Sequence, residues 1–164
     1  MDKINKILNK DELFQEYQML LKMKSDIGVK IRMLSILLYY NNPNPWRVVG
    51  ITQNALVLFK THEFKKVPKM GINRAHLINR DDTYREMLLN PISSSEVFWE
   101  KYLGSDKTVF STSSENLSKK GFSKIFYFEN NQEILFPAIG YAWKHNNKEI
   151  EFLRKFHNNV FSNI

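Results

Sequence analysis

Two short stretches of this 164-residue chain gather side chains that could hydrolyse a phosphodiester bond. The first, Ile72-Asn73-Arg74-Ala75-His76-Leu77-Ile78-Asn79-Arg80, sets a histidine between two arginines. The second, Thr108 to Asn116, ends on an asparagine with Lys119 and Lys120 just beyond it. Such hydrolysis needs a base to activate water, a cation to neutralise the phosphoryl and leaving oxygens, and positive groups to position the backbone. His76 can be the base, because a neutral imidazole takes up a proton near pH 7. Asn116 offers a hard carbonyl oxygen suited to Mg²⁺ (or Mn²⁺), and Mg²⁺ keeps most of its waters and needs few protein ligands. Arg74 and Arg80 can clamp phosphate bidentately. Each residue also has a plainer role: His76 as a structural or surface histidine, Asn116 as a helix cap, the arginines as solvated ion-pair partners. Glu115 and Asp106 read as surface or capping residues, not metal ligands.

The formal net charge of +7 and pI near 9.5 favour polyanionic partners. Between residues 60 and 80, Lys60, Lys65, Lys66, Lys69, Arg74 and Arg80 stand against Glu63 alone. A charge run is ordinarily a solvated face, but beside a candidate hydrolytic histidine phosphate binding is the stronger reading. Trp99, Tyr102, Tyr141 and Trp143 read as core rather than as base-stacking platforms, although Trp143-Lys144-His145-Asn146 could touch DNA. His145 and His157 have no partner at metal-site spacing. The sequence holds no Gly-rich phosphate loop and no nucleophile elbow.

The first stretch resembles the Asp-Arg-Gly-His-Leu signature of non-specific nucleases and the Asp-His-Ile-x-Pro-Arg run of HNH domains. The second is similar to the strand and helix that carry the metal-binding Asn in HNH domains. Together they resemble the ββα-metal (HNH, or His-Me finger) endonucleases over residues 71–121. The resemblance implies a ββα-metal core, with His76 and Arg74 catalytic, Asn116 on the metal, and Lys60, Lys65, Lys66, Lys69, Arg80, Lys119 and Lys120 on nucleic acid. It further implies a Mg²⁺-dependent endonuclease acting on DNA, of the restriction or homing type common among small members of that family, which commonly form a homodimer to cut two strands. Two features depart from the pattern. Ala75 stands where HNH enzymes place a metal-binding Asp, although in the Asp-Arg-Gly-His alignment it replaces only the Gly. His76 and Asn116 are also widely spaced, and two helices between Asp82 and Gly104 could fill the excess at little cost in loop entropy. A noncatalytic nucleic-acid-binding protein and a metal-independent base-excising enzyme are the alternatives.

The elements around these motifs follow from periodicity. Asp11 can cap a first helix with Leu13, Tyr17, Leu20 and Leu21 on one face. A second helix, Val29 to Tyr40, is apolar on most sides and ends at Asn41-Asn42-Pro43-Asn44-Pro45. Trp46 to Ile51 and Ala55 to Phe59 read as a hairpin across Thr52-Gln53-Asn54, followed by a basic connector to Gly71. Thr83 with Glu86, and Ser93 with Glu96, have capping-box spacing. Ser123 to Phe128 and Glu133 to Ile139 read as a second hairpin, and Asn147 as the cap of a last helix. The expected fold class is α+β: a single domain over 1–164, with N-terminal helices, two β-hairpins and a C-terminal helix around the ββα-metal core. No apolar run is long enough to cross a bilayer, and no signal-peptide pattern leads the chain, so a cytoplasmic protein without membrane partners is expected. The absence of cysteine excludes disulfides and Cys-ligated zinc.

Overall fold

Eleven elements follow one another in the computed structural model, which describes residues 7–117, 121–129, 134–140 and 143–162. They are α1 (Lys10–Lys22), α2 (Ile27–Asn41), β1 (Arg47–Thr52), α3 (Gln53–Thr61), β2 (Ile72–His76), α4 (Arg80–Leu89), α5 (Ser95–Ser105), β3 (Lys107–Thr112), α6 (Ser113–Leu117), β4 (Ile125–Tyr127) and α7 (Asn147–Phe161). The fold class is α+β. The chain divides into two compact units, one made of residues up to Pro45 with Ile78–Asp106, the other of Trp46–Leu77 with Lys107–Ile164. Among the described residues no helix is long and apolar enough to cross a membrane.

The first unit is helical. Asn9, not Asp11, caps α1: its side chain accepts from the Asp11 and Glu12 amides while Glu12 accepts from the Asn9 amide, a reciprocal capping box. Leu13, Tyr17 and Leu20 then fall on one face and pack with Ile31, Leu34 and Leu38 of α2, Tyr84, Met87 and Leu88 of α4, and Phe98 and Tyr102 of α5. Tyr17 takes its polar end into this core by donating to the Met87 carbonyl at 2.6 Å and accepting from the Ile92 amide at 3.0 Å. The helices after His76 start at Asn79 and Ser94 rather than at Thr83 and Ser93. Thr83 is buried inside α4, its hydroxyl donating back to the Asn79 carbonyl.

The second unit carries a four-stranded sheet in the order β2-β3-β1-β4. β1 and β3 are parallel, while β2 with β3 and β1 with β4 are antiparallel. Ile51, Val109 and Phe110 are fully buried, as central strands require. The hairpin expected across Thr52-Gln53-Asn54 does not form. Instead the Thr52 hydroxyl accepts from the Ala55 amide and starts α3, which turns Ala55, Leu56 and Phe59 inward and leaves Val57 exposed. The second hairpin is also absent. β4 pairs with β1, and among the described residues Ile134 to Ile139 form no strand, since Phe136 takes φ 58° and Pro137 follows it. Gly50 is required where β4 crosses β1: a Cβ there would sit 2.7 Å from the Phe126 carbonyl oxygen. α7 is capped by Asn146, one residue before the expected Asn147, and its Leu153 joins the core of Val48, Ile51, Leu56, Phe59, Ile72, Phe110 and Phe136.

Candidate functional site

β2 is an edge strand whose side chains alternate, so Ile72, Arg74 and His76 share one face. Across the antiparallel ladder Arg74 faces Phe110 and His76 faces Thr108. The Arg74 guanidinium turns into the sheet unit. Its Nη2 donates to the Phe136 carbonyl at 2.7 Å and to the Ala138 carbonyl, while Nε and Nη1 are buried and have no hydrogen-bond partner among the described residues. Cζ lies 5.1 Å from the centre of the Trp143 ring and 5.8 Å from that of Phe110. Burial pulls its pKa down to about 10, with Glu149 opposing that fall.

A second cation shares the tryptophan: Lys66 Nζ sits 4.8 Å from the Trp143 ring centre, and burial lowers its pKa. His145 packs against Phe59, Phe110, Phe136 and Trp143. One of its nitrogens, Nδ1, is 3.2 Å from the Phe64 carbonyl oxygen, and Nε2 is buried without a partner among the described residues. Burial, against that hydrogen bond and with help from Arg74 and Lys66, brings its pKa down to about 4, so it is neutral near pH 7. No local pattern signals that Arg74, Lys66, Trp143 and His145 meet, because 77 residues separate Lys66 from Trp143.

The basic segment after α3 is held from beneath. Buried Phe64 and Met70 anchor it, the Phe64 amide returns to the Phe59 carbonyl, and Glu63, Phe64 and Lys69 adopt positive φ. Lys60, Lys65 and Lys69 are consequently presented outward on a defined backbone, with Lys65 paired to Glu63 at 2.7 Å. Arg80 belongs to the helical unit, where it bonds Tyr84, so it is no part of a site drawn within the sheet unit. Lys119, Lys120 and Tyr141 lie outside the described residues.

His76 is half-buried at the end of β2, its ring edge-on to Trp46 at 5.3 Å. Asn116 is exposed on α6. Because His76 pairs with Thr108 and Ile72 with Thr112, α6 begins at the end of the ladder away from His76. Four residues of strand amount to roughly 13 Å. The structure therefore does not bring His76 and Asn116 together. Among the described residues no three His, Asp or Glu side chains gather as metal ligands.

Glu115 is the residue whose role sequence reasoning undervalued. It is 7% exposed and accepts from the Thr52 hydroxyl, the Asn54 side-chain Nδ2, the Thr112 backbone amide and hydroxyl, and the Ser123 backbone amide and hydroxyl. Burial alone would raise its pKa; these donors outweigh it and hold the carboxyl at about 2. The signal was present, since Thr112-Ser113-Ser114-Glu115 has capping-box spacing and the Glu115 amide does return to the Thr112 hydroxyl.

Charge divides sharply between the units. Counted along the sequence, the sheet unit holds 14 Lys and Arg against 6 Asp and Glu, and the helical unit 10 against 11. In comparisons with known protein families, characterised proteins and solved structures, nothing matches the chain.

Proposed function

We propose that the protein binds nucleic acid through its sheet unit, with the lysines of the Lys60–Lys69 segment on the phosphate backbone. The observation that carries this reading is the confinement of the excess positive charge to that unit, together with its presentation on a segment anchored by buried Phe64 and Met70. Anchoring matters because ordering a loop together with its long cationic side chains would offset much of what phosphate contact contributes. The test is binding of a duplex DNA oligonucleotide by the whole chain across a range of salt. Affinity that falls steeply with salt supports the reading; no binding at low salt removes it.

Cleavage of the bound backbone is the second reading. The antiparallel β2–β3 pair with α6 directly after β3 favours it, because that is the order of a ββα-metal core once the inserted α4 and α5 are set aside, with His76 at a strand end as the general base. Plasmid incubated with the protein and Mg²⁺, Mn²⁺ or EDTA decides between the two. A metal-dependent endonuclease nicks only with the cation, and His76→Ala lowers the rate by about 10² to 10⁴-fold while binding persists. Intact plasmid in every arm leaves binding alone, and abasic sites formed in EDTA would identify base excision.

A further inference from the structure

Arg74 is bonded in a way that leaves it short of an anion. A guanidinium offers five N–H groups, and the strap Phe136–Gly140 engages only Nη2, through two carbonyls. Nε and Nη1 are enclosed without an acceptor among the described residues. Glu149 acts on Arg74 through its charge, but its oxygens already accept from the Phe136 and Asn146 amides. Arg74 and Lys66 meanwhile approach the same tryptophan ring to about 5 Å each, two cations without an ion-pair partner among the described residues.

The strap is lightly held. Only Phe136 is buried in it; Pro137, Ala138 and Gly140 are exposed. Phe136 and Gly140 both take positive φ, at 58° and 103°, and for an aromatic residue that conformation is costly. The closed form is kept by the Phe136 ring, by Glu149 accepting from the Phe136 amide, and by Arg74.

We propose that the Phe136–Gly140 strap is an autoinhibitory contact that occludes Arg74, and that phosphate of a bound polyanion displaces its carbonyls from the guanidinium. This rests on the polyanion-binding reading of the sheet unit. Lys66 links the two events, since it belongs to the basic segment and also touches Trp143, on which Arg74 rests. A phosphate between Lys66 and Arg74 supplies the missing acceptors and neutralises two neighbouring cations. The ligand class is thus a phosphate diester or polyphosphate, bound in competition with the protein's own backbone.

Gly140→Ala tests this without touching the core. A Cβ at Gly140 meets nothing within 4 Å, but φ +103° is strained for any L side chain, so the substitution loosens the closed strap. If closure limits binding, the variant tightens affinity for duplex DNA and for sodium tripolyphosphate by up to about tenfold, since apparent affinity scales with the open fraction. Arg74→Gln should weaken binding in the wild-type background, since bound phosphate displaces the strap from that guanidinium, and should abolish the gain when combined with Gly140→Ala. Arg74→Lys serves the same purpose should the glutamine variant fold poorly, as it keeps the charge and loses the planar donors. No gain from Gly140→Ala, or a gain that survives loss of Arg74, overturns the proposal, as does failure of every variant to bind either ligand. An Arg74-dependent gain for tripolyphosphate without DNA binding upholds the strap and removes only the nucleic-acid reading. DNA binding that depends on Lys65 and Lys69 but ignores Gly140 and Arg74 does the reverse.

Discussion

Glu115 shows how one carboxylate can fasten four parts of a chain. It joins the end of β1, the start of α3, the end of β3 and the segment at Ser123, and all the donors are local hydroxyls and amides rather than a cation. The linkage between this geometry and pH has a definite sign. The folded pKa of about 2 lies below the ordinary 4.5, so the unfolded chain holds the proton more tightly. The stability this gives is complete above pH 4.5 and is lost as pH falls from there to 2. His145 acts in a higher window. Its folded pKa of about 4 lies below 6.5, so its contribution is complete above pH 6.5 and is lost as pH falls to 4. Denaturant midpoints measured from pH 7 to 3 should decline in two stages. His145→Phe should flatten the first and Glu115→Gln the second; unchanged profiles in both variants would contradict the buried placement of these groups.

At the scale of elements, the sequence made helices easier to read than the sheet. α1, α2, α5 and α7 follow apolar spacings of three and four residues, and only their caps move by one or two positions. Ala55 to Phe59 was ambiguous because five apolar residues in a row fit a buried strand and a short helix equally. The deciding feature was Thr52, a helix N-cap read as part of a turn. The strand pairing of β1 with β3, 55 or more residues downstream, has no local signature, and neither has the register that parts His76 from Asn116. The basic segment, in contrast, was legible as a charge cluster, and its fixed backbone adds a quantitative consequence. Each phosphate contact removed should reduce the slope of log affinity against log salt by about one unit. Lys65→Ala, Lys66→Ala and Lys69→Ala combined should therefore lower the slope by about two to three and weaken duplex binding most at low salt, with little regard to DNA sequence. An unchanged slope would show that these lysines are a solvated face.

For the molecule as a whole, the spacing between His76 and Asn116 becomes intelligible: α4 and α5 lie between β2 and β3 in the chain and complete the core begun by α1 and α2. The two units thus interleave in sequence yet carry opposite charge balances, 14 basic against 6 acidic side chains in one and 10 against 11 in the other. This separates two electrostatic accounts of nucleic-acid binding that the net charge of +7 alone cannot distinguish. If the total charge attracts the polyanion, any two cation-to-anion reversals weaken binding alike. If the sheet unit makes the contacts, reversals in the helical unit remove no phosphate contact and contribute little. Arg32 and Arg85 are exposed in the helical unit; Lys60 and Lys69 are exposed in the sheet unit. Arg32→Glu with Arg85→Glu changes net charge by the same amount as Lys60→Glu with Lys69→Glu. At 0.1 M salt the first pair should alter duplex affinity by no more than about twofold, whereas the second should lower it at least tenfold, through lost contacts and added repulsion. Fluorescence anisotropy on a labelled duplex, with melting curves alongside, measures both. Equal losses from the two pairs would mean that the whole surface field, and not the Lys60–Lys69 segment, holds the nucleic acid.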